Sequence, residues 1–288
     1  MQYSRTPKRV AVGAGVLLTG MLAARRLRAR RSSQRVAALE REATTGREET
    51  FSPAAFEGLP TPVRRYLQSV IPEGRALVDT ARIEQTGRLR TGDATSPWYP
   101  FSATHHVTVS PPGFLWDATV RFAPLVTVSV RDSFRDGEGA GTVSLWGVVP
   151  LDGTGTSPAL VEAQLQRYLA EAVWYPTALL PREGVQWEPV DDRTAEATVE
   201  CGGVSASLTF AFDSDEVRRV EGERYRRVED GFERTPWTGQ WDEYQRRDGL
   251  RIPLSGEVVW GLPEGDLRAW EGRVTDVEYD GGETRADG

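Results

Sequence analysis

The sequence predicts an α+β fold, with one large curved antiparallel β-sheet of about eleven strands packed on a few helices. Three observations carry this. From about residue 80 onward apolar residues recur with period two, in segments bounded by Gly, Pro or Asp. One strong helical pattern, over residues 158–174, interrupts them, so the βαβ alternation of a parallel sheet is missing. With 288 residues, 39% of them hydrophobic, and nine tryptophans, the chain can bury one sizeable core.

Val10 to Ala24 is an uncharged run between Lys8-Arg9 and Arg25-Arg26. Snorkelling arginines and local thinning bring such a run within reach of a bilayer core that ordinarily takes about 20 residues. Leu22 and Leu27 spoil the small-residue pattern of a cleaved signal peptide. The expectation is therefore an uncleaved single-pass anchor within residues 1–35, with the lipid bilayer as partner. More basic residues follow the run than precede it, which leans towards a cytoplasmic soluble domain. Gly13, Gly15 and Gly20 follow no strand and precede no acidic residue at the required distance, so they make no dinucleotide fingerprint. Arg35 to Glu49 reads as a short polar helix stopped at Thr44-Thr45-Gly46. Residues 36–55 are expected to link to a single domain over 56–280, and 281–288 to form a disordered tail.

Thr61 and Pro62 predict a helix start, with Thr61 as cap, and Val63, Tyr66, Leu67 and Val70 recur at helical spacing until Pro72. Strands are expected near residues 82–90, 103–110, 114–122, 126–130 and 141–149. In the third, Phe114, Trp116, Ala118, Val120 and Phe122 alternate with Asp117, Thr119 and Arg121. Ser157 then caps the 158–174 helix and Pro158 fills its first turn. Val161, Leu165, Tyr168, Leu169 and Val173 form its apolar stripe, and Arg167, Glu171 and Trp174 share a second face. Residues 195–201 and 204–212 make a hairpin across Gly202-Gly203. Four more strands are expected near 217–227, 238–246, 250–260 and 270–279.

Composition narrows the chemistry. Residues 1–35 hold nine of the 35 basic residues and none of the 42 acidic ones, so the rest is far more acidic than the net charge of −7. Such a domain repels a nucleic-acid backbone, and nucleic acid is excluded as a partner. A single cysteine, Cys201, excludes an intrachain disulfide, and two adjacent histidines, His105 and His106, make a poor metal set. On a strand those histidines face opposite ways. No nucleophile motif occurs, and the acidic pairs Asp191-Asp192, Asp213 with Asp215, and Asp242-Glu243 fall mostly in turns. No cofactor or metal is expected.

Leu59-Pro60-Thr61-Pro62-Val63-Arg64-Arg65-Tyr66-Leu67 and Arg167-Tyr168-Leu169-Ala170-Glu171-Ala172-Val173-Trp174-Tyr175-Pro176 carry a family resemblance, with Thr235-Pro236-Trp237. Pro112-Gly113-Phe114-Leu115-Trp116 and Val185-Gln186-Trp187-Glu188 add to it. Together they resemble a prokaryotic family known as domain of unknown function 6544, over about residues 56–280. That resemblance implies an amino-terminal membrane segment and no reaction. In architecture the strands and interposed helix are similar to periplasmic lipoprotein carriers, an analogy that leans to an extracytoplasmic side and leaves function to the site.

The tryptophans recur through the whole β-rich region, which suggests an apolar groove inside the sheet. Trp116, Arg167, Glu171 and Trp174 are the candidate ligand-binding residues. The expected function is a membrane-anchored binding protein for a lipid or other hydrophobic ligand. The alternatives are a carboxylate-based hydrolase acting on a membrane-associated substrate and a structural or interaction domain. A deep tryptophan-lined cavity would mark binding, carboxylates converging in a cleft catalysis, and a filled interior a structural role.

Overall fold

The computed structural model describes residues 26–27, 29–45, 50–51, 53–154 and 156–280. Its helices are α1 (residues 29–40), α2 (Thr61–Val70) and α3 (Pro158–Glu171). Six strands precede α3: β1 (Thr80–Arg90), β2 (Trp98–Thr108), β3 (Gly113–Ala123), β4 (Val126–Arg135), β5 (Glu138–Leu145) and β6 (Val149–Thr154). Short 3-10 turns from Ala172 to Glu183 follow it. Seven strands complete the chain: β7 (Gln186–Pro189), β8 (Thr194–Cys201), β9 (Val204–Asp213), β10 (Glu216–Val228), β11 (Gly231–Arg247), β12 (Leu250–Leu262) and β13 (Gly265–Asp280).

All thirteen strands join one antiparallel sheet in the order β6-β5-β4-β3-β2-β1-β13-β12-β11-β10-β9-β8-β7. Two meanders are thus sewn together by the first strand and the last. Helix α3 touches β4 and β5 near one edge and β8, β9, β10 and β11 near the other. Laid flat, β5 and β9 would stand roughly 40 Å apart at ordinary strand spacing, about four helix diameters, so the sheet curls around α3. The turns confirm the curl: a Cβ on Gly137, between β4 and β5, would meet the backbone of Gly202, between β8 and β9. Both glycines have positive φ, 75° and 58°, and this close approach leaves no room for side chains.

The α+β class and the large curved antiparallel sheet are as the sequence predicts, with thirteen strands instead of eleven. The two unforeseen strands, β6 and β7, lie at the edges and pair on one side only. Pro150, Asp152 and Gly153 break the strand pattern in β6, and β7 has four residues. Thr61 is the first residue of α2 and not its cap; Pro60 holds the cap position without a side-chain bond. Ser157 does cap α3, its Oγ accepting from the Leu160 amide at 3.2 Å.

The core lies between the concave face and the helices. Nine residues of α3 are buried, on more than one face, as expected for a helix wrapped by a sheet. Helix α1 lies on the opposite, convex side of β3 and β4. Leu39 is buried there, and Ser32 donates to Asp117 Oδ2 at 2.6 Å. Asp117 also receives Arg131 Nε at 3.0 Å. Ser32, from the end of the expected anchor region, and Leu39, from the expected linker, thus dock on the domain.

The expected single-pass anchor is corrected. Among the described residues no helix is long and apolar enough to cross a membrane, and Val10 to Ala24 lies outside those residues. No described helix therefore supports the bilayer as a partner.

Candidate ligand cavity

A cavity of about 450 Å³ lies inside the curl between α3 and the sheet, within the size range of small-molecule sites. Strand alternation builds its walls. Val120 and Phe122 of β3, Val128 and Val130 of β4, and Val143 of β5 line one side, and Val258 of β12 another. Leu160, Ala163 and Ala170 of α3 line the helix side. Five of the nine tryptophans contribute: Trp116, Trp237, Trp241, Trp260 and Trp270. Exposed Thr91, Phe122 and Arg227 mark the mouth.

The indoles lie against the sheet because glycines make room for them. In register, Trp241 stands opposite Gly256, Gly256 opposite Gly272, Gly272 opposite Gly87, and Gly87 opposite Phe101. A Cβ on Gly256 would come within 2.7 Å of the Trp241 ring, and one on Gly272 would meet the Trp270 ring. Trp270 then stacks on Phe101 at 5.8 Å, and Phe101 meets Trp116 edge-on at 5.7 Å.

One polar cluster interrupts the apolar lining. Arg167 donates from Nε to Glu171 Oε1 at 2.9 Å and from Nη1 to Asp132 Oδ2 at 2.7 Å. Its guanidinium covers the Trp116 ring at 4.7 Å and Phe114 at 5.4 Å. The Arg167 and Glu171 side chains are 14% and 12% exposed, so this is an enclosed ion pair and not surface decoration. Burial outweighs Arg167 and lifts the Glu171 carboxyl above its usual range. Glu171 and Asp132 raise the pKa of Arg167 against its burial. Glu171 Oε2 has no hydrogen-bond partner and stands 3.6 Å from His105 Nδ1. His105 is fully buried, and burial and Arg167 hold its pKa well below the ordinary value, so it is neutral. His106 points the other way and is half-buried.

Three of the four expected ligand residues, Trp116, Arg167 and Glu171, line the cavity together. Trp174 is absent from the lining. It sits behind the wall, edge-on to Trp241 at 4.9 Å, and donates from Nε1 to the Pro253 carbonyl at 3.1 Å. The sequence pointed to a tryptophan-lined groove without singling out the four other tryptophans, and it did not mark Asp132 or Arg224. A signal existed for most: Trp237-Thr238-Gly239-Gln240-Trp241 and Trp270-Glu271-Gly272 put indoles and glycine on one face of a strand. Asp132 continues the inward series Val126, Val128, Val130 of β4, and Phe134 follows it. Carboxylates do converge here, Asp132 and Glu171, but both are held by Arg167. Among the described residues no group of three His, Cys, Asp or Glu side chains could hold a metal ion.

The family model described as "Family of unknown function (DUF6920)" matches residues 57–279. This overturns the resemblance to domain of unknown function 6544, a different family; short Pro-, Arg- and Trp-bearing motifs do not discriminate between two such families. No curated protein matches the chain significantly. Among solved structures it is similar to a LolA superfamily protein from Nitrosomonas europaea, at 12% identity and a TM-score of 0.33, covering 76% of this chain and 91% of that one. It is also similar to a beta-barrel-like protein of domain of unknown function DUF1849 from Brucella abortus, at 9% identity and a TM-score of 0.28, covering 71% and 99%.

Proposed function

For a chain that belongs to DUF6920, a family described without an activity, we propose from the cavity itself that the protein binds a lipid or similar apolar ligand. The observation that carries this reading is the open-mouthed cavity of about 450 Å³ walled by five indoles and by aliphatic side chains. Interiors pack densely, so an apolar space of this size with a solvent-side mouth suits an apolar occupant. Trp116, Arg167 and Glu171, which line the cavity, are its proposed contacts; Trp174 would act by bracing Trp241.

The test is a titration of the full chain with the neutral probe Nile red, reading probe emission and indole quenching. Saturable binding at one site is expected. Ala269→Phe, which fills the lining from β13, should weaken it at least about tenfold while keeping the melting temperature within a few degrees. No saturable binding removes the reading.

Asp132 and Glu171 support a second reading, acid/base catalysis on the bound molecule, because both line the cavity and burial lifts the Glu171 carboxyl. Arg167 occupies one oxygen of each, which fits a positioning role better. Chemical change of a bound ester, lost in Glu171→Gln, would reverse that preference.

A further inference from the structure

We propose that the ligand of this cavity carries an anionic head, a carboxylate or a phosphate monoester, seated on Arg224 beside Trp237 and Trp260; this head-group assignment rests on the apolar-ligand reading above. Arg224 projects from β10 with its guanidinium carbon 4.7 Å from the centre of the Trp237 ring and 5.7 Å from that of Trp260. Nη2 donates to the Ala163 carbonyl at 2.7 Å, and Nε is buried without a partner. Among the described residues no carboxylate comes within ion-pair distance of Arg224; the two whose charges act on it, Glu171 and Asp132, are bound to Arg167. A half-buried cation without a counter-charge is costly unless something supplies one.

The rest of the lining repeats the pattern. Trp237 and Trp241 are 4% and 3% exposed, and neither indole N–H has an acceptor; Arg226 Nε has none either. These are all donors. Among the fully buried side-chain atoms of the described lining residues, the one acceptor without a partner is Glu171 Oε2. An unpaired buried donor loses its hydration with nothing in exchange, so the matching occupant presents acceptors. A carboxylate or phosphate does so and brings the missing charge. Burial and the neighbouring Arg167 lower the pKa of Arg224 to about 10, which leaves it charged at neutral pH. Arg226 at the cavity adds to the positive field in an otherwise acidic domain, whereas Arg227 is paired with Asp152 at 2.7 Å. The aliphatic tail would lie along Val128, Val130 and Val258.

Four sixteen-carbon probes test this on the full chain by indole quenching: palmitate, hexadecyl phosphate, hexadecanol and hexadecyltrimethylammonium, each below its micelle concentration. At least one anion should bind about tenfold or more tighter than the alcohol, and the cation weakest. The ratio of palmitate to hexadecyl phosphate separates a fatty-acid source from a phosphate-ester source. Arg224→Gln should bring the anions to within about threefold of the alcohol measured on the same variant, and Arg224→Lys should keep part of the preference. If Arg224→Gln fails to fold, the wild-type ranking decides, with Trp237→Phe expected to reduce the anion preference alone. Equal affinity for anion and alcohol in the wild type overturns the head-group assignment and leaves the apolar cavity standing. An anion preference that survives Arg224→Gln overturns it too. Failure of all four probes to bind removes both.

Discussion

Arg167 holds two carboxylates from two elements, Glu171 one turn along α3 and Asp132 across the cavity wall on β4. Spacing along the helix made the first partner legible in the sequence. The second was hidden because its strand looked finished at Val130, where the inward series turns polar. Removing Arg167 leaves two largely enclosed carboxylates facing each other, so Arg167→Ala should cost roughly 3 to 5 kcal/mol in chemical denaturation. A double-mutant cycle with Glu171→Ala should show coupling above about 1 kcal/mol; additive losses under about 0.5 kcal/mol each would contradict the enclosed pair. His105 gives a separate reading at the same spot. Its charged and polar neighbours are Arg167, Glu171 and His106, and Phe114 and Trp174 pack on its ring. Its pKa is lowered on folding, so the unfolded chain binds the proton first and stability falls as pH drops below about 6.5. The slope is about 1.4 kcal/mol per pH unit until the folded-state pKa is reached. His105→Phe should flatten that limb between pH 6.5 and 5, and an unchanged limb would place the acid sensitivity elsewhere.

At the level of elements, the aromatic wall depends on glycines that a strand ordinarily avoids. Gly87 of β1 carries the strongest constraint, since a Cβ there would meet the Glu271 carbonyl oxygen of β13 and come within 2.9 Å of the Phe101 ring. Backbone cannot rotate away as a side chain can, so Gly87→Ala should destabilise by about 2 kcal/mol or more and weaken probe binding. Gly153, with nothing near its Cβ position, is the control, and Gly153→Ala should stay within about 0.5 kcal/mol. Thermal melts of the two variants check both. Period-two alternation made most strands legible, from Phe114-Trp116-Ala118 to Leu208-Phe210-Phe212. What alternation hides is which strands meet across the sheet, and therefore that Gly87, Gly256 and Gly272 fall in one row. Edge strands escaped for another reason. Pro150 and Pro189 discourage a neighbour strand, which protects an open sheet but erases the pattern by which a strand is recognised.

For the whole molecule, the sheet encloses α3 and the cavity between two meanders, and both meanders rely on the central β1–β13 pair. Deleting β13 should leave a chain that neither binds Nile red nor melts cooperatively; a cooperative transition in that truncation would show that one meander folds alone. The same pairing fixes when the molecule can first exist during synthesis. Thr80 and Asp280, partners at one end of that seam, lie 200 residues apart in sequence. At ordinary elongation rates the ribosome needs roughly 10 to 40 seconds to cover that distance. Throughout that interval β1 has β2 on one flank and an open ladder on the other. The nascent chain thus carries an unpaired β1 edge from the synthesis of β1 until β13 emerges, an interval of exposure that slower elongation lengthens.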